Sequence, residues 1–512
     1  MVAGDAHYHA IVIGAGIAGL STAALLAARG LRVLLLEAHR AIGGNCVSWP
    51  RMVQVAGQRQ RFIFDSGVQD ISGLGPRGPV RNLLRQLGAE DRLQWHRVRH
   101  QYWRDGSLLE GALTPADFIG NLCSRHPQDA AGIRAFFDEI FAVYRDIYAN
   151  VERTGGVPTP PSPCEMLVWP QCHPHAFRWM ARPFDEMLST YLGDGAAADC
   201  LRTVSEYITE DPHLLSVGDM APLFGYYLDG GYYPEGGAQS LPDLLSVLFR
   251  EHGGTLKCRT TVERILFADG QACGVVTITG QRFYAPLIIS NADVVTTLTH
   301  MSDASRLPDT YAERITTLKR GPSAVLVSLA LDTKLPLAAR SFVQQDGLHF
   351  GIGNPSVLDD TLAPPGCSAV TLLCLLSEAE AQGWLKRDES YAVRKQAFTD
   401  RLIDAVAHSV FADIRKHIVY CETATPATFS RYTGAQGGNI YGAARGGWAP
   451  APITPVPGLM LIGAGTQTGA GIEAVTVCAT RAADRIRPPR AYSRLKINDV
   501  LTPPKAKLLL IR

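Results

Sequence analysis

A chain of 512 residues is too long for one hydrophobic core, so two or three closely packed domains are expected. With 46% hydrophobic and 19% charged residues it is an ordinary globular protein, not a disordered one. A net charge of +1 excludes the broadly basic surface that marks nucleic-acid binding.

The first element in chain order is a short apolar strand, Tyr8 to Ile13. It opens into Gly14-Ala15-Gly16-Ile17-Ala18-Gly19, followed by an Ala/Leu-rich helix from Leu20 to Arg29. Gly30 closes that helix, and a second apolar strand from Leu31 to Leu36 ends in Glu37-Ala38. A strand, G-x-G-x-x-G, a helix, a strand and an acid in this order form a dinucleotide-binding fingerprint. Gly14 makes the tight turn, Gly16 lets the backbone approach a pyrophosphate, and Gly19 allows the helix to lie close on the strand. The helix start offers unpaired N–H groups to the diphosphate, and Glu37 is placed to accept the ribose hydroxyls.

The stretch Ala10 to Ala28 carries no charge, which invites a membrane-span reading by length. Its glycines, with Ser21 and Thr22, divide it instead into a strand and a small-residue helix. Asp5 and His7 stand where a signal peptide would be positive, so neither a membrane span nor an export signal is expected.

Two features point to FAD over NAD. Gly43-Gly44 gives the backbone a second close approach soon after Glu37. Near the other end, an apolar strand from Gly458 to Ile462 enters Gly463-Ala464-Gly465-Thr466 and Gly469-Ala470-Gly471, then a helix from Ile472 to about Ile486. A flavin is too long for one strand–helix–strand unit, and a second loop and helix start would hold the ribityl chain and ring.

Between these ends, residues 115–218 read as helix-rich, with Val157 to Pro163 (VPTPPSP) as a loop. Aromatics at Phe224, Tyr226, Tyr227, Tyr232 and Tyr233 fit either a plain core or the wall of a tunnel for an apolar substrate. Gly253-Gly254 through Ile265, then Gly274 to Ile278, read as strand hairpins. Ser323 to Leu331 and Ser368 to Leu376 read as strands, and Tyr391 to His408 as a helix. From Arg485 onward the tail holds eight basic residues and one acid, suited either to docking on an anionic membrane or to remaining solvated.

Eleven scattered cysteines without a C-x-x-C pair suit free thiols in a reducing cytoplasm. Cys164, Cys172, His173 and His175 cluster around Pro170 and Pro174, but their loose spacing gives no tetrahedral set, and no metal is expected.

The fold class expected is α/β: a discontinuous Rossmann-type FAD-binding domain (1–100, 228–300 and 440–490) with an inserted α+β substrate-binding domain (101–227 and 301–439). Residues 491–512 form a basic C-terminal tail.

The chain resembles the phytoene desaturase, carotenoid isomerase and retinol saturase group of the FAD-dependent amine-oxidase superfamily. The resemblance runs through GAGIAGL (14–20), EAHRAIGG (37–44), FDSG (64–67), GGYYPEGGAQSL (230–241), SNAD (290–293), APPG (363–366), TPATF (425–429), NIYG (439–442) and GAGTQTGAGIEAV (463–475). It implies FAD bound through Gly14 to Gly19, Glu37, Ala38, Gly43, Gly44, Gly463, Gly465, Gly471 and Ile472, with the backbone of Val262 clasping the adenine. It also implies that Pro234 and Gly236-Gly237 form the turn that feeds a helix back to the flavin domain. The implied activity is redox chemistry on an extended apolar isoprenoid, with desaturation by hydride transfer to flavin N5 as the leading expectation. A saturase or isomerase would carry much the same motifs. The fold is also shared by non-enzymatic prenyl-protein chaperones.

The chain departs from the pattern at Ala41, where Arg is common, at Gln467-Thr468, where His-Pro is common, and at Glu473, where Pro is common. Glu473 is either a favourable acid in the first turn of a helix or a group that orients the substrate or handles a proton. The second reading suits a smaller amine or carrier-bound acyl substrate and an oxidase.

Overall fold

The computed structural model describes residues 8–109, 114–149, 163–205, 213, 215–444 and 447–486. The loop expected at Val157 to Pro163 lies outside the described residues except for Pro163, and the basic tail at 491–512 lies wholly outside them.

A five-stranded parallel sheet forms from segments far apart in the chain. Its order is Leu459–Leu461, Ile288–Ser290, Ala10–Ile13, Val33–Leu36 and Thr255–Lys257. Both faces are apolar because each strand alternates between two cores. Ala10, Val12, Val33, Leu35, Ile289 and Met460 face the helical side, built from Ile17–Ala28, Ser240–Glu251, Ile472–Arg485 and Pro79–Gln86. Ile11, Ile13, Leu34, Leu36, Ile288, Leu459 and Leu461 face the other core. There the strands Val262–Ala268, Gln271–Thr277 and Arg282–Tyr284 form an antiparallel sheet across the back.

The Gly253 to Ile278 region thus differs from a plain run of hairpins. Thr255–Lys257 leaves for the parallel sheet, while Val262–Ala268 pairs with Gln271–Thr277. The backbone turns between them because Arg259 N–H and Thr260 N–H donate to the carbonyls of His39 and Glu37.

The second layer is a seven-stranded mixed sheet, ordered Ile418–Ala424, Ser323–Leu331, Ser368–Leu376, Leu348–Gly353, Arg340–Gln345, His100–Arg104 and Ser107–Leu109. Helix Tyr391–Ser409 covers part of one face through Leu402, Ile403, Ala405 and Val406. A helical layer lies beyond, with a core of phenylalanines: Phe136 packs edge-on against Phe137, Phe184 and Phe224. The stacked pair Tyr102–Phe342, 5.0 Å between centroids, belongs to the same core and links the sheet to the helices. Phe224 and Tyr233 are therefore core residues; Phe224 is fully enclosed, and the Tyr233 hydroxyl donates to buried Asp65 at 2.5 Å. Among the described residues no helix is long and apolar enough to cross a membrane.

Candidate functional site

The turn after the first strand is shaped by glycines with no room for a side chain. Gly14 has φ +91°, and a Cβ on Gly19 would sit 2.0 Å from the Gly14 carbonyl oxygen. Gly16 caps helix Ile17–Ala28 with no side-chain hydrogen bond, so its first N–H groups are not satisfied by a capping side chain. Gly43 joins this turn: its N–H donates to the Ala15 carbonyl at 2.8 Å, and a bridge pairs it with Gly16. Gly44 follows at φ +63°, where a Cβ would touch the Gly16 Cα at 3.2 Å.

Glu37 ends the second strand with its carboxylate turned back to the glycine turn. Oε2 accepts from Ala15 N–H at 2.7 Å and Oε1 from His39 N–H at 2.9 Å. Each oxygen keeps a further acceptor site. Ala38 is exposed beside it. Val262 shares a hydrophobic cluster with Leu36, two residues beyond the Thr260–Glu37 backbone bond.

The second glycine loop meets the first across Asn291. A Cβ on Gly16 would lie 2.7 Å from Asn291 Nδ2, and one on Gly463 would lie 2.4 Å from Asn291 Oδ1. The Asn291 backbone is fixed by donation from its N–H to the Ile13 carbonyl at 2.8 Å. Gly465 presses on Val294, and Gly442, from the NIYG run, backs onto the Ala464 carbonyl. The structure thus brings Gly14, Gly16, Gly19 and Gly463 against one asparagine, with Gly43 and Gly44 joined through the Gly16 turn and Gly465 set against Val294. Gly471 (φ +104°) and Ile472 begin the last helix, again without a side-chain cap at its start.

Buried Asp65, from the FDSG run, holds the Gly236–Gly237 turn (φ +86° and +100°) in place. It accepts from Ser48 Oγ, Tyr233 OH and Ala238 N–H. Burial pushes its carboxyl up to about 6, against the pull of these hydrogen bonds.

Glu473 lies in the first turn of the last helix and faces a cavity of about 120 Å³. Tyr148 OH donates to its Oε1 at 2.9 Å, and Ser72 lines the same cavity. Tyr144 OH donates to Asp229 Oδ2 at 2.7 Å across the same space, and the two tyrosine rings lie 4.6 Å apart. Arg77 and Arg145 complete the polar lining. Burial raises the Glu473 carboxyl above the usual carboxylate range, and the nearby Asp229 charge adds to this. Burial likewise lifts both tyrosine hydroxyls.

Sequence reasoning singled out Glu473 but none of its neighbours. Tyr144 and Tyr148, four residues apart, belong to one helix face, a signal legible once that helix is known to border the site. The sequence motif SNAD carried Asn291 without a role.

Cys164 and Cys172 are exposed, while His175 faces Glu139 at 3.1 Å and the His173 ring lies tilted against Trp169.

A parallel sheet whose glycine turn, acidic strand end and second glycine loop converge defines a nucleotide-binding α/β protein of the flavoenzyme type. The glycine turn, the start of helix Ile17–Ala28 left without a side-chain cap, and the Glu37 carboxylate fit a dinucleotide, while the Asn291 side chain fills the space between Gly16 and Gly463. Residues 17–487 match the model of the flavin containing amine oxidoreductase family, and the chain belongs to that family. It is an FAD-dependent oxidoreductase.

Among curated relatives, the chain is 25% identical over 490 residues to the all-trans-retinol 13,14-reductase of Danio rerio, covering 85% of this chain and 78% of the relative. It is 25% identical over 509 residues to prolycopene isomerase 1 of an Oncidium hybrid cultivar, covering 94% and 84%. It is 25% identical over 517 residues to a lycopene-forming phytoene desaturase of Pseudescherichia vulneris, covering 92% and 97%. A solved oxidoreductase from Methanosarcina mazei shares the fold, with a TM-score of 0.65, 17% identity, and coverage of 93% of this chain and 99% of that one.

Proposed function

We propose that this enzyme desaturates an extended apolar isoprenoid. The observation that carries the reading is similarity along nearly the whole chain to relatives named for retinol, prolycopene and phytoene. These three names share a long isoprenoid-derived chain and differ in the reaction. FAD, when bound, supplies the hydride acceptor.

The chain's own residues hold and orient. The Gly14 to Gly19 turn and the helix start behind it take the diphosphate, and Glu37 takes the adenosine ribose through its remaining acceptor sites. Ala38, Gly43 and Gly44 complete that side, and Val262 lies where the backbone meets the adenine. Gly463, Gly465, Gly471 and Ile472 form the passage toward the ring, with Asn291 fixing the spacing of the two loops. The helical layer closes over this region and keeps water from the reacting carbons. Residues 1–100, 228–300 and 440–490 form the cofactor domain in this account, and 101–227 with 301–439 the substrate domain.

The test is anaerobic. Phytoene and all-trans-retinol, each in liposomes, are mixed in separate runs with FAD-loaded protein, and loss of the oxidised flavin absorbance is followed. Bleaching with substrate, and none with empty liposomes, is the expected result. Unchanged flavin with every polyene offered would contradict the reading.

A further inference from the structure

The cavity beneath Glu473 has a chemistry that a plain hydrocarbon does not need. Two carboxylates from distant elements border it: Glu473 at the start of helix Ile472–Arg485 and Asp229 at the end of helix Val217–Asp229. The tyrosine hydroxyl protons are already committed, Tyr148 to Glu473 and Tyr144 to Asp229. A carboxylate offers about four lone-pair sites, and Tyr148 supplies one side-chain donor to Glu473. Arg77 and Arg145 balance the two acids, so the lining is near neutral overall and recognises by direction more than by net charge. The two carboxylates accept and the Arg77 and Arg145 guanidinium groups donate, so an ammonium would match the acids alone and a ketone the arginines alone. A hydroxyl does both.

Size narrows the ligand further. At about 120 Å³ the cavity is smaller than the roughly 300–1,000 Å³ of sites that enclose a whole small molecule. It fits one end of a long ligand. Its walls are fixed: a Cβ on Gly225 would meet the Tyr144 ring at 2.4 Å, and one on Gly73 would meet Glu473 Cγ at 3.1 Å.

We infer that this cavity binds the hydroxyl-bearing end of an isoprenoid substrate, with Glu473 as the acceptor of its proton. The inference rests on the isoprenoid reading above and narrows it from hydrocarbons to chains ending in an alcohol. A site built to pair a hydroxyl discriminates against the analogue that lacks it, because its own buried groups are left unmatched.

The test uses FAD-loaded full-length protein and three probes with one polyene chain: all-trans-retinol, its methyl ether and its deoxy hydrocarbon. Binding is read from polyene fluorescence and from perturbation of the flavin spectrum. The wild type is expected to prefer retinol over both analogues by about tenfold or more, the size of a hydrogen bond to a charged group. Glu473→Leu is expected to bring that ratio to about one, with hydrocarbon affinity unchanged, and Glu473→Gln to an intermediate value, since the amide oxygen is a weaker acceptor. Tyr148→Phe breaks the contact between helices but leaves the acceptor, and is expected to keep the preference. A purely structural contact would make Tyr148→Phe and Glu473→Leu behave alike. Equal binding of all three probes by the wild type, or a preference that survives in Glu473→Leu, overturns the end-group assignment and leaves the isoprenoid reading standing. Failure of flavin-replete protein to bind any of the polyenes removes the isoprenoid reading, and this inference with it.

Discussion

Tyr148 and Glu473, 325 positions apart in sequence, meet through a 2.9 Å hydrogen bond in which the tyrosine hydroxyl donates to Oε1. The contact ties the inserted helical layer to the helix that follows the second glycine loop. Tyr148→Phe removes one donor from an enclosed carboxylate, and the expected loss of stability is about 1–3 kcal/mol. Chemical denaturation of the wild type and the variant at equal flavin occupancy measures it, and an unchanged midpoint would sink the expectation.

Two glycine substitutions should behave oppositely. Gly19→Ala places a Cβ 2.0 Å from the Gly14 carbonyl oxygen, where backbone on both sides must move. A cost of about 3 kcal/mol or more and purification without flavin are expected. Gly120 lies inside helix Pro115–Arg125 with nothing within 4 Å of an added Cβ. Gly120→Ala should stabilise by roughly 0.5–1 kcal/mol through backbone entropy alone. Thermal melts and flavin content of both variants check the pair.

Glu37 binds two backbone N–H groups, those of Ala15 in the glycine turn and His39. In Glu37→Ala both donors lose a charged acceptor, so the apoprotein should lose about 2 kcal/mol and FAD affinity should fall about tenfold or more. Glu37→Gln keeps one acceptor oxygen and should lie between the two. Titration of apoprotein with FAD, followed by flavin fluorescence, gives the affinities. Equal FAD affinity in wild type and Glu37→Ala would remove Glu37 from the cofactor site.

Asp65 gives a pH dependence with a defined sign. Its folded-state carboxyl, raised by burial to about 6, lies above the unfolded value of 3.8. Its contribution is most favourable below the unfolded value and is lost as pH rises toward 6. The difference corresponds to about 3 kcal/mol. Other carboxylates change over the same range, so the readout is wild type minus Asp65→Asn. That difference should fall between about pH 4 and pH 6 and level off above. A difference independent of pH would contradict the assignment.

The nucleotide-binding start was legible because its constraints are local. A buried strand needs a β-branched run, and a turn at φ +91° needs glycine, as at Gly14. The strands Ser323–Leu331 and Ser368–Leu376 were legible for the same reason, through nearly continuous apolar runs, and helix Ile472–Arg485 through the glycine loop that precedes it. The partners of Glu473 were not legible, because nothing local relates it to Ser72, Tyr148 or Asp229; only the folded topology does. Aromatics were ambiguous in principle. Phe224 in a phenylalanine core and Phe224 in a tunnel wall leave the same trace in the chain, and only burial decides for the core. Glu37 was expected at the ribose, while its contacts with Ala15 and His39 N–H depend on a turn geometry that composition does not specify.

The measurement closest to the central claim is the mass of the product formed from a polyisoprenoid by FAD-loaded protein. Phytoene and all-trans-retinol would each be incubated in liposomes with oxidised flavin and, in parallel, with reduced flavin. Desaturation predicts a product lighter by one or more pairs of hydrogens with oxidised flavin, from at least one of the two substrates. A heavier product formed only with reduced flavin would mark a saturase, and a retention shift at unchanged mass an isomerase; either would contradict desaturation. No product from flavin-replete protein under any of these conditions would contradict the isoprenoid reading as a whole.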